Sequence, residues 1–240
     1  MSNLNTIART LLIIALLSLS AQAQTRTSTG DQIIQKMSAQ YASVKSYQDV
    51  GVIQDGSKNS TIKVNEFKTY FVRPNLIRFE WEDADDRDKF SSIFWSDGKG
   101  VFSFYNFSKD LEKEESISSA VAGATGISRG AAHTVTRLLS TDVGGFSLTE
   151  MSRIILLSQE AFEGEDCFVV RGFHPFGFAI DVWISKRDML IRKVHEEKES
   201  GAFTDDIRRE IKINQPIPES TFKFQRPSPA KARVGANAIG

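Results

Sequence analysis

The chain has 240 residues, 30 basic and 30 acidic side chains, a hydrophobic fraction of 40% and one cysteine. Balanced charge excludes the basic footprint of a nucleic-acid-binding surface. The lone Cys167 excludes an intramolecular disulfide, so apolar burial must hold the core, and within Cys167-Phe168-Val169-Val170 it reads as a small buried hydrophobe rather than a reactive thiol.

The first 23 residues have the order of an export signal: Arg9, then the apolar run Leu11 to Leu19, then Ala21-Gln22-Ala23 as a small-x-small cleavage site. The apolar run is shorter than the roughly 20 residues a membrane-spanning helix needs. Cleavage is expected after Ala23, and no cysteine follows it to carry a lipid anchor. Cleavage would remove Arg9 and no acidic residue, leaving 29 basic against 30 acidic side chains. The expected product is soluble, lies outside the cytoplasm, and forms one domain over 24–227 with a disordered tail at 228–240.

Ile33, Ile34, Met37, Tyr41 and Val44 recur at helical spacing behind the capping box Thr29-x-x-Gln32. Strands follow. Ile77, Phe79 and Trp81 alternate with Arg78, Glu80 and Glu82, the period of a sheet with one apolar face. Further strands are predicted over 62–72, 91–95, 101–107, 153–158, 168–172, 178–184, 189–194, 207–213 and Thr221 to Phe224. Asp97-Gly98, Glu163 to Asp166 and Ser185 to Asp188 supply short links, and strands joined that way pair antiparallel.

Residues 117–142 interrupt this pattern with Val135, Leu138 and Leu139 at helical spacing, while Gly123, Gly126 and Gly130 predict a break around Thr125 to Gly130. Composition leaves open whether this segment is a movable cover or a plain linker helix. It also leaves open whether the 17 phenylalanines and three tryptophans pack a solid core or line a greasy cavity.

Three motifs bear on that choice. Arg73-Pro74-Asn75-Leu76 leads into the alternating strand ending at Trp81. Ser96-Asp97-Gly98-Lys99 precedes Phe104-Tyr105-Asn106, and Thr221-Phe222-Lys223-Phe224 is followed by Pro227. In this order they resemble the LolA-like periplasmic lipoprotein carriers and their relatives, across about Gly30 to Pro227. The resemblance implies an α+β fold: a strongly curved antiparallel sheet forming an incomplete β-barrel, with helices covering its apolar concave face.

It further implies a periplasmic, monomeric carrier, without cofactor, that takes up acyl chains of lipoproteins or lipids and meets inner- and outer-membrane partner proteins. Arg73 stands where the family has a lid-holding arginine, and its five donors suit backbone carbonyls of a covering helix. Read from the residue alone, it could equally be a solvated strand residue. The expected ligand-binding set is Arg73, Ile77, Phe79, Trp81, Phe104, Val135, Leu138 and Leu139. The central segment is richer in Gly and Ala than the lipoprotein carrier itself, so a sensor or scaffold that reports lipid or lipoprotein state to a membrane partner is the alternative.

Enzymatic readings are weaker. Gly126-Ile127-Ser128-Arg129-Gly130 matches a nucleophile elbow, with Asp181 and His195 following in hydrolase order, but a buried strand should lead into such an elbow and Ala120 to Thr125 is not one. His133, His174 and His195 lack metal-ligand spacing, and Glu82 to Asp88 lacks the spacing of a calcium loop. Ser128 esterase chemistry is therefore a remote alternative, and the leading expectation is a binding protein.

Overall fold

A computed structural model describes residues 29–57, 60, 62–85 and 91–224. The expected signal, the tail and the tip Asp86 to Asp88 lie outside these residues. Helix α1 (Gly30–Ser43) starts at the predicted capping box, with Thr29 and Gln32 bonding each other's backbone, and it buries Ile33, Ile34, Met37 and Tyr41.

Eleven strands form one antiparallel sheet: β1 (Ser46–Ser57), β2 (Lys63–Val72), β3 (Leu76–Asp83), β4 (Ser91–Asp97), β5 (Val101–Tyr105), β6 (Asp110–Glu114), β7 (Ser152–Phe162), β8 (Glu165–Phe173), β9 (Ala179–Ser185), β10 (Ile191–Glu197) and β11 (Ala202–Ile213). Their order is β6-β5-β4-β3-β2-β1-β11-β10-β9-β8-β7. The sheet is thus two meanders joined where β11 pairs with β1, and its edges β6 and β7 are not paired with each other. Register shifts at Gln48/Val50, Ile191/Lys193 and along β7–β8 mark bulges, which increase local bend and twist. The expected incomplete barrel is the observed architecture.

The chain leaves one edge at β6 and re-enters at the other edge, β7. Its connection carries α2 (Ile117–Ile127), α3 (Ala131–Thr134) and α4 (Thr136–Leu139), so the topology itself draws this segment across the concave side. The predicted break is present: α2 ends at Ser128, and Arg129 and Gly130 both take positive φ. On the concave face, α1 packs against β7 and β8, and α2 packs against β4, β5 and β6. The main core, which includes Ile77, Phe79, Phe94, Val170, Val182, Val135 and Leu139, fills the space between sheet and helices.

Three expectations need correction. Sequence periodicity did not reveal β1, because its inner residues Tyr47, Asp49, Gly51 and Ile53 mix polar with apolar. Charged β6 was also missed. Thr221 to Phe224 is not a strand: Glu219–Phe222 is a 3-10 turn crossing β3 and β4 on their outer side, where Phe224 stacks on Trp95 at 5.1 Å. Pro216 and Pro218 lack the N–H groups a sheet ladder requires, so the segment packs across the strands instead of extending the sheet.

Gly51 shapes the interior at the centre of the sheet. A Cβ there would lie 2.2 Å from Phe67 Cζ and 2.5 Å from the Ile207 carbonyl oxygen, so only glycine lets the Phe67 ring lie across β1. Gly51→Ala is expected to cost about 1–3 kcal/mol through overpacking, read as a lowered midpoint of urea unfolding.

Candidate functional site

The concave face between α1 and α2 is the candidate site. Ile77, Phe79 and Trp81 project into it from β3 and lie at 8% exposure or less, and Val135, Leu138 and Leu139 face them from the cover at 9% or less. Phe79 stacks between Phe67 and Phe94, with ring centroids 5.8 and 5.6 Å away. The structure therefore brings together six of the apolar residues expected to act as a set.

Phe104 is the exception. Register pairs Ser103 with Phe94 and Phe104 with Ile93, so alternation turns Phe104 to the outer face. There it packs with Ile93, Trp95 and Phe102 beneath Phe224, and it belongs to a second, separate cluster.

Arg73 holds a helix, and that helix is α1. Its Nε donates to the Val44 carbonyl at 2.7 Å and its Nη2 to the Tyr41 carbonyl at 3.1 Å. These are carbonyls left without intrahelical partners where α1 ends, and a cation there also complements the helix dipole. The central cover is gripped by a residue that sequence reasoning missed. Arg208, fully buried on β11, donates from Nη2 to the Ala131 carbonyl of α3 at 2.9 Å.

Arg208 is also shared by two buried carboxylates. Its Nη1 donates to Asp49 Oδ2 at 2.8 Å, its Nη2 to Asp206 Oδ2 at 2.8 Å, and the Tyr47 hydroxyl donates to Asp49 Oδ2 at 2.6 Å. The guanidinium lies 4.8 Å from the Phe67 ring centroid, a cation–π contact that depends on Gly51. Arg129 adds an ion pair to Asp55 at the break between α2 and α3. Asp206 and Arg208 stand in the run Thr204-Asp205-Asp206-Ile207-Arg208-Arg209-Glu210, which reads locally as a wet face. Ile207 is the one apolar residue in that run, so no alternation marks which charges turn inward.

Around this group several buried side-chain atoms have no hydrogen-bond partner: Asp49 Oδ1, Asn65 Nδ2, Thr69 Oγ1, Trp81 Nε1, Asp206 Oδ1 and Arg208 Nε. A cavity of about 480 Å³ opens at the nearby rim, walled by Asp55, Gly126, Arg129, Glu196, Phe203 and Thr204.

The hydrolase arrangement is not assembled. Ser128 ends a helix, is buried, and accepts from the Ala132 N–H at 3.1 Å. Both Asp181 oxygens are held by Arg171 at 2.6 Å, and His195 Nδ1 contacts Asp205 at 2.7 Å. Among the described residues no group of three or more His, Cys, Asp or Glu side chains is gathered for a metal ion. Cys167 is buried, and burial pushes its thiol pKa up.

Burial also raises the Asp206 pKa, outweighing the attraction of Arg208. A carboxyl raised in the folded state keeps its proton where the unfolded chain has lost it, so its contribution to stability falls as pH rises through that interval. Glu196 is raised too, by burial first and then by the Asp206 charge. Asp206→Asn is therefore expected to become progressively less destabilising relative to the parent as pH rises above ~4 towards neutrality. Paired urea titrations across that range check the sign, and a constant difference would contradict it.

Solved structures share this architecture. An uncharacterized conserved protein from Thermus thermophilus matches with a TM-score of 0.50 and 10% identity over 80% of this chain and 94% of that one, and it has the same fold. Looser matches are an outer membrane lipoprotein-sorting protein domain from Vibrio parahaemolyticus (TM-score 0.40, 14% identity, 80% of this chain and 95% of that one) and a LolA superfamily protein from Nitrosomonas europaea (0.38, 13%, 82% and 99%). No curated protein matches the chain. Residues 30–233 match the family described as "Predicted periplasmic protein (DUF2092)", a span that takes in α1, the whole sheet and the cover, and the chain belongs to that family of periplasmic proteins.

Proposed function

We propose that this protein is a periplasmic carrier that takes acyl chains of lipoproteins or lipids onto the concave face of its sheet when the helices over it move. The observation that carries the reading is the contrast between face and cover. The face is a broad apolar surface, whereas the helices that pack on it are short or rich in small residues beyond α1 and are pinned at a few polar points: Arg73 to the Tyr41 and Val44 carbonyls, Arg208 to the Ala131 carbonyl, and Arg129 to Asp55.

Ile77, Phe79, Trp81, Val135, Leu138 and Leu139 would then exchange contacts with one another for contacts with an acyl chain. Each methylene taken from water favours binding by about 0.8 kcal/mol, so a long chain can offset the loss of the closed packing. The resemblance of the Arg73-Pro74-Asn75-Leu76 strand and the Ser96-Asp97-Gly98-Lys99 hairpin to the lipoprotein carriers supports the same reading. An N-terminal export signal over 1–23 would deliver the chain to the compartment its family occupies.

A sensor or scaffold that reports lipid state to a membrane partner is the second reading. It is favoured by apolar side chains left outside the core, namely Phe176 at the β8–β9 turn, 87% exposed, and Ile155 and Leu157 on edge strand β7.

Mass spectrometry of material copurifying from the native envelope tests the carrier reading. Bound lipoprotein or lipid supports the carrier, and a protein that is always empty and takes up no acyl probe overturns it. Arg73→Leu removes two bonds that hold α1 in the closed state, so stopped-flow uptake of a fluorescent acyl probe is expected to accelerate several-fold with little change in the unfolding midpoint. Unchanged kinetics would remove Arg73 from the gating mechanism.

A further inference from the structure

The unpartnered polar atoms of the interior share one location. Arg208, Gly51, Phe67 and Trp81 stand opposite one another across β11, β1, β2 and β3. One row towards the rim are Asp206, Ile53 and Asn65, and one row the other way Asp49 faces Thr69. Neighbouring strands are about 4.8 Å apart, so these side chains surround the Phe67 side chain in a patch about 14 Å across from β11 to β3. Both carboxylates, the guanidinium, Asn65, Thr69 and Trp81 are each at least nine-tenths buried. The rim cavity begins one row farther out, since Thr204, which lines it, pairs with Asp55, while Asp206, two residues along β11, pairs with Ile53.

Buried polar atoms are nearly always satisfied, and leaving one unpaired is costly. Several on one face of one sheet, beneath a cover attached at the same place, call for a ligand that completes them. The pattern also restricts that ligand. Asp49 Oδ1 and Asp206 Oδ1 can only accept while ionised, Asn65 Nδ2, Trp81 Nε1 and Arg208 Nε can only donate, and Thr69 can do either. An ammonium head supplies no acceptor for the donors. An anionic head meets an arginine already shared by two carboxylates.

We infer that this ring around Phe67 is the head-group subsite of the acyl-binding concave face, and that it selects an uncharged head bearing both hydroxyl and carbonyl groups, as an acylglycerol does, over an anionic head. The inference rests on the carrier reading above. Movement of α3 breaks the Arg208 contact to the Ala131 carbonyl, which frees a donor in the subsite as the cover opens.

The test uses the delipidated full chain loaded with a fluorescent fatty-acyl probe, displaced by monooleoylglycerol, by oleate and by monooleoylglycerol phosphate. Monooleoylglycerol is expected to displace the probe at roughly tenfold lower concentration than either anion, the difference that about one extra hydrogen bond supplies. Thr69→Val combined with Trp81→Phe removes two unpartnered polar atoms and no existing bond of theirs, so the variant is expected to lose that preference, with some fall in melting temperature from the void the smaller ring leaves. Thr69→Val alone serves as the milder check. Equal or better displacement by an anion, or a preference that survives in both variants, overturns the head-group assignment alone. A chain that binds the probe in no form overturns the carrier reading, and the subsite with it.

Discussion

The two edges of the sheet are consecutive in the chain and farthest apart in strand order. β6 ends one meander and β7 begins the other, at opposite ends of an eleven-stranded order. Whatever joins them has to cross the mouth of the curved sheet, and the connection does so as three short helices. The other connections between neighbouring strands are local, apart from the β1–β11 seam that ties the two halves together. Coverage of the concave face by 117–142 is thus a consequence of strand order. The sequence of that segment decides how firmly it is held.

It is held lightly. α2 is rich in small residues, α3 and α4 are single turns, and the link between α2 and α3 passes through two positive-φ residues, Arg129 and Gly130. Small side chains bury little area each, so the cover depends on Ile117, Val121, Val135, Leu138, Leu139 and a few directed polar bonds. One of those is made by Arg208, a charge that would be prohibitive in an apolar core if Asp49 and Asp206 did not share it. Gly51 lets Phe67 lie flat beneath that guanidinium, so the polar centre and the aromatic stack form one unit. A well-packed apolar replacement for such a buried ion group is often as stable, which makes its presence more informative about binding than about stability.

The division between α1 and the central segment sharpens the role of the arginines. Arg73 and Arg208 both donate to helix carbonyls, but Arg73 secures the end of α1 and Arg208 secures the start of α3. The two halves of the cover can therefore be released by different events, and the break between α2 and α3 lies beside the rim cavity.

Much of the architecture was written in local pattern. Thr29 and Gln32 mark the start of α1 because a capping box needs only four residues, and the strand around Ile77, Phe79 and Trp81 is legible because its outer face is charged. The break near Gly130 follows from glycine's cost in a helix. Phe104 was misplaced because both faces of β5 and β4 are apolar, which erases the alternation that would tell inside from outside. β1 was missed for the opposite reason, since Asp49 and Gly51 sit among the buried residues of its inner face. The polar ring could not be read at all: Asp49, Asn65, Thr69, Trp81, Asp206 and Arg208 come from four strands up to 159 residues apart, as the Asp49–Arg208 bond shows. By itself the sequence determined the antiparallel meander, the helical interruption and the apolar stripe of β3, because those depend on spacing within a few residues. Only the tertiary structure decided which face each aromatic occupies and which charges are buried together, because burial is settled when β11 closes against β1.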